Sequence, residues 1–161
     1  MNTRDKVYEM LREFDTTMLV TVGGEQQMHA RPMAVVEVED DGAIWMMTSA
    51  SSRKLEEITE DPRALLVCEN GRSQQLSISG RARVVVDPGR VRRLWKEPYR
   101  VWFPNGPDDS DIALLAIDPL MAEFWDTSGT NRVAYFWETV KAYMTGERPK
   151  SSDDRRGSGS L

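Results

Sequence analysis

The sequence has little of what several kinds of functional site need. It contains one cysteine and one histidine among its 161 residues. Cys68 has no second cysteine with which to form an internal disulfide, which fits a reducing compartment. One cysteine and one histidine cannot build a usual zinc site, and the acidic residues near 108–111 lack the spacing of a calcium-binding loop. We therefore predict no metal.

Signals of export and of membrane insertion are also missing. No apolar run approaches the ~18 residues that a membrane helix needs. The first residues are charged and amphipathic, unlike the basic-then-apolar order of a secretory signal. We expect a cytoplasmic protein that has no membrane partner.

The sequence also lacks an excess of positive charge. Acidic side chains outnumber basic ones by 26 to 21, and the formal net charge is −5. Domains that bind nucleic acid usually carry the opposite excess, so we predict no nucleic-acid partner. The length fits one domain, and almost nothing after Gly146 can be buried. We predict a domain over residues 1–146 and a disordered polar tail over residues 147–161.

Most of the sequence has the pattern of β-strands, with amphipathic helices before and between them. Apolar residues at helical spacing predict a short first helix over residues 3–14, and alternation predicts a long half-buried strand over residues 75–86. Short apolar runs separated by Gly-Gly and Asp-Gly turns predict hairpins. Further strands are predicted at 19–22, 28–38, 44–48, 64–68, 112–117 and 121–125, with helices at 52–61, 88–95 and 131–145. Six or seven antiparallel strands with flanking helices favour a small β-barrel of the α+β class.

The start of the second helix carries an unusual charge pattern. Its first turn contains Arg53 and Lys54, although the positive end of a helix dipole favours acidic residues there. A bound phosphate would relieve this conflict, because serine hydroxyls, free amides and both cations can converge on one anion. The alternative is that both cationic side chains point into water. These residues alone leave both interpretations open.

Five separated segments together resemble one family. The first lies on the predicted second strand, the second ends the third strand, the third opens the helix, the fourth opens the long strand, and the fifth, a weaker match, is a late tryptophan. In this sequence they are Arg31-Pro32-Met33-Ala34, Met47-Thr48, Ser52-Arg53-Lys54, Gln75 and Trp125. In order and spacing they resemble the flavin-binding split barrels of the pyridoxamine 5'-phosphate oxidase-like superfamily, in its general stress protein branch.

The resemblance implies a Greek-key split β-barrel that binds FMN at the interface of a homodimer. It assigns Arg31 and the Ser52-Arg53-Lys54 segment to the flavin phosphate, and the segments around Met33 and Met47 to the isoalloxazine ring. Gln75 is implied near the ring, and Trp125 is implied to act from the partner chain. FAD is an open alternative to FMN, and a deazaflavin coenzyme in the same fold is another. The implied function is a flavin-dependent oxidoreductase of unknown substrate and unknown catalytic residues, or a non-catalytic flavin carrier or sensor.

The chain departs from the vitamin B6 oxidases of the superfamily after the late tryptophan. There those enzymes carry a histidine and paired arginines, whereas this chain reads Asp126-Thr-Ser-Gly-Thr-Asn-Arg-Val. We therefore do not expect pyridoxamine 5'-phosphate oxidase activity, although Arg132 is a candidate partial substitute. His29, two residues before Arg31, either lines the ligand site or is an ordinary barrel histidine. The aromatic residues 99–103 either cover a substrate cleft or pack on a dimer partner.

Overall fold

Three helices and eight strands make up the part of the chain that can be described. The computed structural model describes residues 3–40, 42–71, 74–126 and 156–161. Within these ranges, no helix has both the length and the apolar composition needed to cross a bilayer. The helices are α1 (Thr3–Arg12), α2 (Arg53–Glu60) and α3 (Pro88–Leu94). The strands are β1 (Thr16–Val22), β2 (Met28–Ala34), β3 (Glu37–Val38), β4 (Ile44–Ser49), β5 (Arg63–Glu69), β6 (Gln74–Val85), β7 (Ile112–Asp126) and β8 (Arg156–Ser160).

The strands form one antiparallel sheet that curls into a half-barrel. Their order is β2-β1-β5-β6-β7-β4-β3, and β8 pairs with β7 beside this path. The predicted split-barrel class is confirmed. The strand count is eight against the seven segments predicted: residues 28–38 divide into β2 and the two-residue β3, the chain end adds β8, and the two strands predicted within 112–125 are one strand, β7.

Alternation along the central strands places the core inside the curl. Leu66 and Cys68 of β5, and Leu76 and Ile78 of β6, are buried while the residues between them are more exposed. Helix α1 closes the core with the apolar face that its spacing predicts, including the fully buried Leu11. Cys68 is therefore a core residue, and burial raises the pKa of its thiol.

Strand β7 differs from the prediction, which divided it into two strands around Pro119. The structure has one continuous strand, with a shift of register opposite Gly80. A side chain at position 80 would collide with the carbonyl oxygen of Asp118. Glycine thus lets the two backbones approach at the shift, and the strand accommodates a proline that would break a regular ladder.

The predicted disordered tail also differs from the structure at its end. Residues 156–160 pair with Met121–Trp125, along the edge of β7 that β4 leaves uncovered. Gly157 lies so close to the ring of Phe124 that no side chain could fit, and Leu161 packs on the core. Pairing through the backbone needs no apolar side chains, which is why a Gly-Ser sequence can form this strand. The predicted helix over 131–145, Arg132 and the rest of the tail lie outside the described residues.

Helix α3 leads to the last element that shapes the site. Asp87 caps it, because its Oδ1 accepts a hydrogen bond of 2.9 Å from the backbone N–H of Arg90. The helix packs through Val91 and Leu94 on the outer face of β4, next to Trp45. A short 3-10 helix, Glu97–Val101, follows. Tyr99 within it and the next two residues, Trp102 and Phe103, line one depression of the surface.

Candidate functional site

Two neighbouring depressions lie along strand β2. The first, which we call the cationic pocket, has a volume of about 340 Å³ and is lined by His29, Arg31, Ser52, Arg53, Lys54 and Glu57. The second, the apolar cleft, has a volume of about 470 Å³. It is lined by Thr16, Pro32, Met33, Ala34, Val36, Met47, Thr48, Ser49, Tyr99, Trp102 and Phe103. The two depressions adjoin where Lys54, which lines the pocket, lies 2.7 Å from Thr48 Oγ1, which lines the cleft.

Lys54 joins the end of β4 to the start of α2. Its ammonium donates hydrogen bonds of 2.7 Å to Thr48 Oγ1 and 2.6 Å to Ser52 Oγ. Ser52 is the N-cap residue of the helix, but its side chain does not bond to a helix N–H. The first turn of α2 therefore presents a lysine held by two hydroxyls at the boundary between pocket and cleft.

A buried carboxylate that the sequence analysis did not identify organises the cationic pocket. The Glu57 side chain accepts hydrogen bonds from Thr21 at 2.6 Å, from Arg31 at 2.9 Å and from His29 Nδ1 at 2.7 Å. Arg53 Nε lies 3.6 Å from its Oε1, one helical turn earlier. Burial alone would raise the pKa of Glu57, but these hydrogen bonds and the charge of Arg31 lower it to about 2.

Glu57 adds a third interpretation of the charge pattern at the start of α2, beside a bound phosphate and exposure to water. Arg53 lies within ion-pair distance of the Glu57 carboxylate, four residues later. The charge of Arg53 is therefore partly balanced by another residue of the same helix. The i,i+4 spacing of Arg53 and Glu57 was the available signal in the sequence. The burial of Glu57 depends on β1 and β2 covering the helix, which local spacing does not reveal.

The pocket nevertheless keeps a surplus of positive charge. Arg31, Arg53 and Lys54 share the single carboxylate of Glu57. Burial and the nearby charge of Arg31 lower the pKa of Lys54, and Glu57 opposes that effect only in part. A doubly negative ligand would offset this charge surplus, so the donor set fits a phosphate group.

The apolar cleft has a different character. Strands β2 and β4 provide one part of its lining, and residues 99–103 provide another. Phe103 is buried, whereas Trp102 is 65% exposed and its ring lies 6.5 Å from that of Tyr99. Burial raises the pKa of Tyr99, so its hydroxyl stays protonated near neutral pH. No charged side chain lines the described cleft, which suits a flat, largely apolar group.

Two of the predicted site residues lie elsewhere. Gln75 and Trp125 pair with each other across β6 and β7, and neither lines the pocket or the cleft of the same chain. The structure brings the other nine together: Arg31, Pro32, Met33, Ala34, Met47, Thr48, Ser52, Arg53 and Lys54. The roles of Gln75 and Trp125 stay predictions.

The arrangement can bind an anion joined to a flat apolar group, and it offers little else for chemistry. Ser49 and Ser51 approach Asp111, which accepts a hydrogen bond from the backbone N–H of Ser51 at 3.1 Å. No base of the kind that activates a nucleophilic serine lines the described cleft. Within the described residues, no group of three or more His, Cys, Asp or Glu side chains is placed to hold a metal ion.

Comparison with known proteins points to one group. The model of a family described as pyridoxamine 5'-phosphate oxidase like matches residues 2–150. No curated protein matches the chain. Among solved structures, a general stress family protein of Xanthomonas campestris is 30% identical, with a TM-score of 0.67 over 81% of this chain and 92% of that one.

Two further solved structures extend the comparison. The general stress FMN/FAD binding protein of Xanthomonas citri is 28% identical, with a TM-score of 0.67 over 80% of this chain and 93% of its own. A general stress protein 26 of Jannaschia sp. CCS1 is 23% identical over 98% of both chains, with a TM-score of 0.72. At 23% identity, the match to the Jannaschia protein is evidence of a shared fold alone.

Proposed function

The chain belongs to the pyridoxamine 5'-phosphate oxidase-like family, and from this premise we propose that it binds FMN. The flavin phosphate lies in the cationic pocket and the isoalloxazine ring in the apolar cleft. One observation carries the proposal: Lys54 of the cationic pocket donates a hydrogen bond to Thr48 of the uncharged cleft, so the surplus of positive charge lies directly beside the apolar surface. The Xanthomonas citri neighbour, described as FMN/FAD binding, supports a flavin as the ligand.

Three cations bind the phosphate in this proposal. Arg31 uses two of its five N–H donors for Thr21 and Glu57, so donors remain for a ligand. Lys54 uses two of its three for Thr48 and Ser52, which leaves one. Arg53 is 76% exposed at its side chain and can reach over the pocket. Because this side is open to solvent, FAD with its added adenylate is the alternative ligand.

The cleft residues orient the ring. Met33 and Ala34 on β2 and Met47 on β4 supply apolar contact, and main-chain groups along the outer edge of β2, an end strand of the sheet, can bond to the polar edge of the ring. We further propose that a homodimer completes the site, with Gln75 and Trp125 of the second copy beside the ring. The cytoplasm stays our prediction for the compartment, since the one cysteine is buried and free.

A bound flavin supplies the redox chemistry, by accepting and returning electrons at its ring. The residues of this chain bind the phosphate, hold the ring and exclude water from it. We propose a flavin-dependent oxidoreductase of undetermined substrate. A non-catalytic flavin carrier or sensor is the second candidate, favoured by one observation: Tyr99 is the one titratable side chain lining the described cleft. Turnover of NADH or NADPH with the flavin-loaded protein separates the two, since a carrier shows none.

A fluorescence titration of the ligand-free protein with FMN and with riboflavin tests the binding proposal. Riboflavin has the same ring and no phosphate, so the ratio of the two dissociation constants isolates the cationic pocket. We expect micromolar or tighter binding of FMN and at least ~10-fold weaker binding of riboflavin. Equal binding of both would contradict the role of the cationic pocket. Binding of neither would reject the flavin, and the deazaflavin coenzyme would be the next ligand to titrate.

A further inference from the structure

His29 has a place in the cationic pocket that the three cations do not explain. It is the only histidine in the sequence, and it lies on the same face of β2 as Arg31. Its Nδ1 is 2.7 Å from Glu57 Oε1, and the Nδ1–Cε1 edge of the ring packs against Gly23. The ring is thus fixed on one edge, by the carboxylate and by the turn after β1.

The partner at Nδ1 determines which ring nitrogen carries the proton. Glu57 accepts hydrogen bonds from Thr21 and Arg31 as well, and an ionised carboxylate has no proton to donate. Nδ1 must therefore carry the hydrogen in this bond. In the neutral ring Nε2 is then an acceptor, and within the described residues it has no hydrogen-bond partner, although His29 lines the pocket.

We propose that His29 is a fourth phosphate-binding residue, which donates from Nε2 in its protonated form, so that binding of the flavin phosphate takes up one proton. The inference rests on the proposed function, because it concerns the same pocket. A phosphate oxygen and an unprotonated Nε2 are both acceptors and repel each other. One added proton turns that contact into a charge-assisted hydrogen bond.

The charges around His29 are consistent with uptake on binding. Arg31 from its own strand and Arg53 and Lys54 from α2 disfavour an added positive charge in the free protein. Glu57 favours it from the other side of the ring, and Thr21 on β1 is neutral. A doubly negative phosphate offsets the three cations, so the protonated ring becomes favourable once the ligand is bound.

Proton NMR of the single histidine tests the proposal directly. The Hε1 signal of the full chain is followed from pH 5 to pH 9 without ligand, with riboflavin and with FMN. We expect the titration midpoint to rise by roughly one pH unit or more with FMN and to stay unchanged with riboflavin. An unchanged midpoint in a sample saturated with FMN overturns the inference and leaves the proposed function standing.

Failure of FMN to bind would reject the proposed function but would still leave the phosphate contact testable. Inorganic phosphate is then the probe in the same NMR titration. A midpoint that rises with phosphate, and not with sodium chloride of equal ionic strength, supports His29 as a phosphate-binding residue. A midpoint that does not respond overturns it.

The variant His29→Gln provides an independent readout. Glutamine keeps a hydrogen-bonding side chain and cannot become positively charged. At pH 6 we expect FMN to bind the variant about 10-fold more weakly than the natural protein, with the difference vanishing by pH 8.5 and riboflavin affinity the same throughout. Met28→Gln, an exposed change on the opposite face of β2, is the matched control. An equal loss for both ligands would indicate a structural role and contradict the proposal.

Discussion

The cationic pocket and the apolar cleft adjoin at the hydrogen bond between Lys54 and Thr48, yet they are held in place by different forces. In the pocket, hydrogen bonds and ion pairs converge on Glu57, whose side chain is 6% exposed. In the cleft, the lining is held by packing: Met33 and Phe103 belong to two separate apolar clusters, and Trp102 remains 65% exposed. The pocket is therefore a fixed polar network, whereas the cleft is an apolar surface with one exposed wall.

This difference separates two tasks in ligand binding. A polar network that is already assembled can distinguish a ligand with a phosphate from one without, because the two differ by the double negative charge of the phosphate. An apolar cleft supplies contact area and distinguishes ring systems only by shape. Changes in the pocket should thus affect FMN alone, and changes in the cleft should affect FMN and riboflavin equally.

The largest expected effect concerns stability and follows from Glu57. Its pKa is about 2 in the folded protein against an ordinary value of 4.5, so the ionised form stabilises the fold. That stabilisation is fully present above about pH 4.5 and is lost as the pH falls toward 2. The shift corresponds to about 3 kcal/mol. We expect Glu57→Gln to lower the free energy of unfolding at pH 7 by about this amount, measured by urea denaturation.

The pH dependence distinguishes this effect from a simple loss of packing. The difference between the natural protein and Glu57→Gln should shrink as both are titrated from pH 5 to pH 3, because protonation removes the same charge. Glu56→Gln, an exposed change at the preceding residue of α2, should behave like the natural protein. A difference that stays constant with pH would show that Glu57 is not the charged centre of the pocket.

The next largest effect is on ligand discrimination and follows from Lys54. We expect Lys54→Ala to weaken FMN binding by about 10- to 100-fold, the value of one charge-assisted contact, and to leave riboflavin binding within about threefold. The fold should survive, since burial disfavours the charged lysine and lowers its pKa. Flavin fluorescence titrations of both ligands measure the effect.

An exposed lysine provides the control for that substitution. Lys96 lies outside both the pocket and the cleft. If Lys96→Ala weakens FMN binding as much as Lys54→Ala does, the attraction is a general effect of net charge. If Lys54→Ala changes both ligands alike, the phosphate does not lie beside the first turn of α2.

Most of the fold and much of the site could be predicted from local patterns. Period-two alternation predicted β6, and the helices predicted at 52–61 and 88–95 correspond to α2 and α3. The motif around Arg31 and the run before Lys54 identified two segments that the structure brings to one pocket. Each of these signals lies within a few residues of the chain.

The features that could not be predicted depend on contacts between distant segments. Glu57 is a charged residue on a short helix, and such residues are usually exposed. It is buried here because Thr21, His29 and Arg31, from two strands, cover it and bond to it. The continuity of β7 through Pro119 depends on the close approach of Gly80. Strand β8 depends on a free edge more than thirty residues earlier in the chain.

The smallest effect belongs to the cleft and tests the other side of the comparison. Trp102 is the exposed aromatic residue of its lining, so it can contact a ring without supporting the core. We expect Trp102→Ala to weaken FMN and riboflavin binding equally, by about 2- to 10-fold, as the loss of one aromatic contact. Val101→Ala, next to it and outside the cleft, is the matched control, because Val101 is 80% exposed. A loss confined to FMN would move the phosphate into the cleft and reverse the assignment of the two depressions.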